Sequence, residues 1–415
     1  MTNNKIELLS PAGSFDCLQA AINSGADAIY FGVEQLNMRA KSASPFLISD
    51  IKKIAAICKA HSIKSYLTLN TVMYDHDIRL LQNIVSEVKM HGIDAIIASD
   101  FAVIQHCRQL NIPLHISTQA NVSNIEAVQF FSSFSDVVVL ARELTLQQVS
   151  QITREIKRRE IKGVSGELMK VEIFVHGALC MAISGKCYLS LHSQNASANR
   201  GACAQNCRRP YKVTDTETNE ELMIDHQYIM SPKDLCTIGV LDEVINSGVS
   251  VLKIEGRSKG ADYVSVVTKC YREAMEAVRE GSYSDQKIQD WNKELTAVYN
   301  RGFWEGYYLG HHLGQWTNNP GSSAREKKIY IGKGSGYYPK IKVAEFTLDS
   351  GYIRKGDTLM IIGAEHGMKK TPIEYLLVNG VRAEEAGKGD RITFSCDTKV
   401  TSKDKLYKIV QNSNA

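Results

Sequence analysis

The chain has 415 residues, of which 44% are hydrophobic and 23% charged, and a formal net charge of +4. These values exclude a largely disordered polypeptide, and they make charge alone too weak a basis for nucleic-acid binding. A length of 415 residues allows one barrel-sized core and a compact second module.

The opening Met1-Thr2-Asn3-Asn4-Lys5-Ile6-Glu7 has no basic region followed by an apolar stretch. No run approaches the roughly 18 apolar residues of a spanning helix. A cytoplasmic protein without a membrane is therefore expected. Ten cysteines in that compartment stay reduced, so they pose a question of metal binding or catalysis rather than of disulfides.

In chain order, short β-rich apolar runs predict strands over Glu7–Ala12, Ala28–Val33, Lys64–Asn70, Ala95–Ser99, Pro113–Thr118, Asp136–Ala141, Val171–His176 and Val251–Glu255. Between or after them, segments with one apolar face predict helices, among them Ile48–Ala60, Asp77–Met90, Thr145–Glu155 and Asp262–Glu280. Repeated strand–helix alternation is the pattern of an α/β protein with a parallel (β/α)8 TIM-like barrel, here over residues 1–317. The spacing breaks once, at a cysteine-rich insertion over 177–232 that follows the seventh strand and so belongs on the catalytic rim. Asn318-Asn319-Pro320-Gly321-Ser322-Ser323 opens a turn-rich linker over 318–327. Residues 328–415 are expected to form a small C-terminal β-barrel with strands over Lys328–Gly332, Lys340–Phe346, Asp357–Ile362 and Arg391–Ser395.

Cys180, Cys187, Cys203 and Cys207 form a C-x6-C-x15-C-x3-C series. Four thiolates from one segment suit a soft metal centre, and neighbouring glycines let backbone amides approach cluster sulfurs. An iron–sulfur cluster, [4Fe–4S] for four ligands, fits this spacing better than structural zinc or simple buried thiols. Zinc prefers C-x2–4-C knuckles, and only one short pair is present. Cys236 is an alternative to Cys207 as fourth ligand, although an expected helix start makes it a packing residue first. Cys17, Cys58, Cys107, Cys270 and Cys396 read as packing residues.

The expected strand ends carry a second set of polar residues, which a barrel would gather on one rim. His176, Glu255 and Gln119 are the candidate catalytic groups. Asn37, Arg39, Asn70, Arg142, Arg257 and Arg301 are the candidate substrate contacts, the arginines because guanidinium clamps carboxylate or phosphate bidentately. Each arginine has a structural alternative as half of an ion pair with Glu143 or Glu255, and Asp100 reads as a helix cap. Arg208 and Arg209, beside Arg200, Tyr211 and Lys212, give the cysteine segment a basic, aromatic-bearing edge suited to RNA. No H-E-x-x-H helix or P-loop occurs.

The stretches Glu7-Leu8-Leu9-Ser10-Pro11-Ala12-Gly13, Gly25-Ala26-Asp27-Ala28-Ile29-Tyr30-Phe31-Gly32, Lys253-Ile254-Glu255-Gly256-Arg257 and Asn300-Arg301-Gly302-Phe303 accompany E-x-F-x-x-G-A-L-C, ending at Cys180, and G-x-C-x-L-S around Cys187. On these motifs the chain resembles the collagenase-like peptidase family, peptidase family U32. The resemblance implies iron–sulfur hydroxylation chemistry. Length and the β-rich C-terminus look like the branch that makes 5-hydroxyuridine at the tRNA wobble position, with prephenate as hydroxyl source. The implied partners are tRNA and this small dicarboxylate, which suits an arginine-lined rim. Related branches hydroxylate a ribosomal RNA cytidine or a quinone precursor, and the family's collagenase label is the remaining alternative. The ligand role carries over to Cys180, Cys187 and Cys203, with the fourth place open between Cys207 and Cys236.

Overall fold

Almost wholly buried apolar runs form the inner wall, as expected of parallel strands covered on both faces. They are β1 Glu7–Pro11, β2 Ala28–Phe31, β3 Lys64–Leu69, β4 Ala95–Ala98, β5 Leu114–Ile116, β6 Val137–Val139 and β7 Lys170–Gly177. The computed structural model describes residues 6–39, 46–212, 214–221, 230–310, 314–317 and 321–412. Outside the wall lie α1 Phe15–Asn23, α2 Ile51–Ala60, α3 Ile78–His91, α4 Phe101–Gln109, α5 Ile125–Ser132 and α6 Leu146–Arg158, each burying one stripe. Asp100 is the cap its sequence context indicates, accepting from the Ala102 N–H at 2.9 Å. Thr145 and Gln148 close a capping box on α6.

The insertion follows β7 and contains the short α7 Leu189–Gln194. The chain then forms β8 Asp234–Cys236, α8 Leu241–Asn246, β9 Val251–Ile254, α9 Ala261–Glu280, α10 Asp285–Ala297 and β10 Phe303–Trp304. Strands β1 to β7 pair in sequence order, and β9 pairs in parallel with both β7 and β1, closing an eight-stranded ring. Strand β8 is additional. It runs antiparallel to the end of β7, with His176 opposite Cys236, and β10 pairs with it. Cys236 therefore ends a strand rather than starting a helix, because the part of β7 that projects past the ring offers backbone groups that capture this segment.

The C-terminal region comprises β11 Glu326–Tyr338, β12 Val343–Leu348, β13 Tyr352–Arg354, β14 Thr358–Gly363, β15 Gly367–Pro372, β16 Leu376–Val378, β17 Val381–Ala383, β18 Glu385–Gly387, β19 Arg391–Ser395 and β20 Lys405–Gln411. Eight of these strands form an antiparallel sheet, and β13 pairs with β18. Phe346 and Phe394 stack 5.6 Å apart in a separate core with Leu359 and Ile392. Two strand expectations need correction. Gly332 does not end β11: a Cβ there would lie 2.2 Å from the Thr347 carbonyl oxygen, so the glycine permits close strand approach inside a longer strand. Lys340 lies in a turn, and β12 begins at Val343. Residues 318–320 of the expected linker lie outside the described residues.

The C-terminal sheet rests on the barrel through α1. Asn23 donates to the His366 carbonyl at 2.9 Å, and Gly367, at φ +73°, passes so close that a Cβ would lie 2.7 Å from the Ala20 nitrogen. Among the described residues no helix is long and apolar enough to cross a membrane.

Candidate functional site

A cavity of about 150 Å3 lies between the C-terminal ends of the strands and the insertion. It has room for several waters or a small organic molecule. Its floor comes from the barrel, where alternate residues of each strand face the lumen. Lys253 on β9 pairs with Glu172 on β7 at 2.6 Å, and His115 on β5 approaches the other Glu172 oxygen at 3.4 Å without hydrogen-bond geometry. Burial alone would raise the Glu172 carboxyl, but Lys253 and His115 outweigh it and hold it at about 2. Glu255 behaves in the same way: burial opposes its charge, and Arg39 at 2.8 Å leads the cations that bring it to about 2.

Arg257 and Arg142 are placed differently. Arg257 is 7% exposed and donates to Asn37 Oδ1 at 3.2 Å and Thr68 Oγ1 at 2.5 Å. Burial lowers its pKa to about 10. Arg142 donates to the Ala178 carbonyl at 3.1 Å and the Ser184 hydroxyl at 3.0 Å. Among the described residues, neither has a carboxylate within ion-pair distance. They place two guanidinium groups without carboxylate partners at the cavity.

The insertion forms the roof, and Cys180, Cys187, Cys203 and Cys207 all line the same cavity. Their thiols are close enough to influence one another's ionisation. Burial would raise the Cys180 thiol, but Arg142, Arg39 and Arg208 together lower it, which favours a thiolate. Cys207 is raised, chiefly by burial. Among the described residues no three His, Cys, Asp or Glu side chains stand close enough together to hold a single metal ion. The four cysteines border a shared space rather than meeting at a point. Gly185 is required here: it adopts φ +75°, and a Cβ would lie 2.9 Å from Gln119.

The sequence candidates divide clearly. Arg39, Asn70, Gln119, Arg142, Glu255 and Arg257 line the cavity with the four cysteines. Asn37 stands behind it, orienting Arg257. His176 is not a cavity residue. The β7–β9 register shifts between Phe174 and His176, and this bulge changes the pleat so that His176 faces Tyr263, Tyr271 and Phe303 instead of the lumen. Burial among these rings, with the Tyr271 hydroxyl 3.4 Å from Nδ1, lowers it to about 3, so it is neutral and stands away from the cavity where the sequence predicts a catalytic role. Arg301 pairs with Asp234 at 3.1 Å outside the cavity, the structural alternative for an arginine. Arg208 also turns inward, donating to Leu179, Pro232 and Ser231, and so braces the cysteine segment. Arg209 is exposed. Cys236 is buried and does not line the cavity.

Lys253 and Glu172 escaped the sequence reading although the signal is present. Each is a charge in the middle of an apolar strand, and opposite charges on two neighbouring barrel strands point to a lumen pair.

Residues 13–318 match the family model of peptidase family U32. The chain belongs to peptidase family U32. This U32 chain is 49% identical over 408 residues to a protein named collagenase from Porphyromonas gingivalis, covering 98% of the chain and 99% of that protein. It is 33% identical over 313 residues to tRNA hydroxylation protein P1 of Bacillus subtilis, covering 74% and 71% respectively. A 23S rRNA 5-hydroxycytidine synthase of Escherichia coli is 33% identical over 284 residues, covering 68% of the U32 chain and 41% of that protein. The family match includes every residue lining the cavity.

Proposed function

We propose that the chain is an RNA-modifying hydroxylation enzyme that forms 5-hydroxyuridine at the wobble position of tRNA, with prephenate as the hydroxyl source. The observation that carries this reading is that one cavity is bordered by four cysteines and by two guanidinium groups, Arg142 and Arg257, lacking carboxylate partners among the described residues. The cysteines are the donor set of an iron–sulfur centre, and the arginines are the donors a small dicarboxylate requires. The U32 relatives named for tRNA and rRNA hydroxylation support an RNA substrate.

On this reading Cys180, Cys187, Cys203 and Cys207 hold a [4Fe–4S] cluster. With all four irons bound by protein, the cluster supplies electron transfer or positioning rather than an open Lewis-acid site. The chain's own residues do the rest. Arg142 and Arg257 seat the co-substrate, Arg39 keeps Glu255 ionised at its side, and Arg208, next to Cys207 in the chain, ties the segment down by donating to the Leu179 and Pro232 carbonyls. Arg209, exposed beside the roof, is the side chain free to meet an RNA phosphate.

The collagenase name of the Porphyromonas gingivalis relative favours a peptidase as the second reading. Two features count against it. No histidine among the described residues lines the cavity to activate a thiol or hydroxyl, and the H-E-x-x-H metalloprotease motif is missing from the sequence. Anaerobically purified protein tests the two readings together. The hydroxylation reading expects brown protein containing iron and sulfide that leaves gelatin uncut beyond a mock preparation. Colourless protein with one tight zinc, or gelatin cleavage abolished by a single cavity substitution, would overturn it.

A further inference from the structure

The cavity floor contains a row in which cations and aromatic rings alternate. The Arg257 guanidinium lies 5.7 Å from the Tyr30 ring centre, and Lys253 Nζ lies 4.6 Å from the same ring. Lys253 Nζ is also 5.3 Å from the Phe174 ring centre, over which Arg142 stands at 5.1 Å. Lys253 is thus common to both halves of the row. Its ammonium has three donors, and among the described residues one of them is used, toward Glu172 at 2.6 Å. Glu172 is fully buried, and His115 stands on its far side, so the ammonium is held from below and cannot retract.

Charge counting gives the ligand class. Arg39 is balanced by Glu255, and Lys253 by Glu172. Arg257 faces neutral amide and hydroxyl partners, and Arg142, bonded to Ala178 and Ser184, also faces the Cys180 thiol. Two guanidinium groups without carboxylate partners among the described residues, one on either side of Lys253, can each receive an anionic group, and the intervening Tyr30 and Phe174 rings suit an apolar body between them.

We infer that Lys253 is the specificity-determining residue of this row, its spare donors shared by the two anionic groups of one small apolar-bodied ligand. This inference rests on reading the cavity as a co-substrate site. Glu172 acts through Lys253 and is a positioning residue.

Calorimetry on full-length, anaerobically prepared protein tests it, with isophthalate as the two-carboxylate probe and benzoate as its one-carboxylate control. Wild type should bind isophthalate at least about tenfold more tightly than benzoate, the yield of one additional charged hydrogen-bonded contact. Lys253→Met should remove that preference, and Lys253→Arg should retain most of it. If Lys253→Met does not give a native melt, Lys253→Gln takes its place. Equal affinity of wild type for the two probes, no binding of either, or unchanged isophthalate binding by a folded Lys253→Met or Lys253→Gln protein would overturn the inference. RNA analysis separates this result from the functional reading. Isophthalate selectivity without any effect on 5-hydroxyuridine removes the tRNA substrate and leaves the anion row standing. Loss of 5-hydroxyuridine on deletion without isophthalate selectivity does the reverse.

Discussion

The floor and the roof of the cavity are built in opposite ways. The floor consists of side chains on neighbouring parallel strands, with Glu172 fully buried and Lys253 beside it. The roof has a six-residue helix, α7, and two three-residue turns of 3-10 helix. It is tied down by a few side chains: Arg200 to Asp77 at 2.6 Å, Arg142 to Ser184, and Arg208 to three groups. Met181, Ile183 and Tyr188 on the roof remain exposed. The difference shows that the barrel presets the cavity floor, whereas the cysteine segment depends on clamps and, on the proposed reading, on its cluster.

Breaking the floor should cost most. Glu172→Ala leaves Lys253 buried without its counter-ion and should reduce global stability by about 3–5 kcal/mol in denaturant unfolding. A loss below about 1 kcal/mol would mean that the floor is no more rigid than a surface pair.

Breaking the roof should be selective. On the proposed reading, Cys180→Ala and Cys187→Ala should abolish the visible absorbance of an iron–sulfur cluster while the barrel retains its far-UV signal. Cys207→Ala should do the same. Cys236→Ala should leave the absorbance intact, since the structure places Cys236 outside the cavity. The reverse pattern for these last two would move the fourth ligand to Cys236.

A pH titration sharpens the comparison, because the barrel wall carries groups held far from their usual ionisation. His176 is lowered from 6.5 to about 3 by burial, so the unfolded chain takes up its proton first and stability falls as pH drops from 6.5 toward 3. Glu172 and Glu255, lowered from 4.5 to about 2, add their own loss only as pH falls from 4.5 toward 2. His176→Phe should therefore flatten the stability profile between 6.5 and 4.5. An unchanged slope there would contradict the neutral, caged histidine.

The smallest effect should follow from the roof clamp. Arg200 stacks 4.0 Å over Tyr74 as well as pairing with Asp77. Arg200→Ala should lower global stability by no more than about 1 kcal/mol, yet speed limited proteolysis between residues 180 and 210. Equal protection in the variant would show that the roof does not need this clamp.

These contrasts also explain what the sequence revealed. Strand–helix alternation made the ring legible, and the Cys180, Cys187, Cys203 and Cys207 spacing marked the segment that now borders the cavity. The inward residues were legible only while the pleat stayed regular. The bulge after Phe174 turned His176 outward, and no local pattern around Val175 announces such a shift. Arg208 looked like a phosphate contact because charge runs are normally solvated, but three nearby acceptors draw it inward. Glycines misled in the C-terminal region for a related reason: in Gly332 the missing side chain serves strand packing rather than a turn.

The central claim is tested most directly by measuring 5-hydroxyuridine in total tRNA from a strain lacking this protein and any paralogue, complemented in turn with wild type and Cys180→Ala. The account predicts loss of the nucleoside on deletion, its return with wild type, and no return with Cys180→Ala. An undiminished level in the deletion strain, or full restoration by Cys180→Ala, would contradict it.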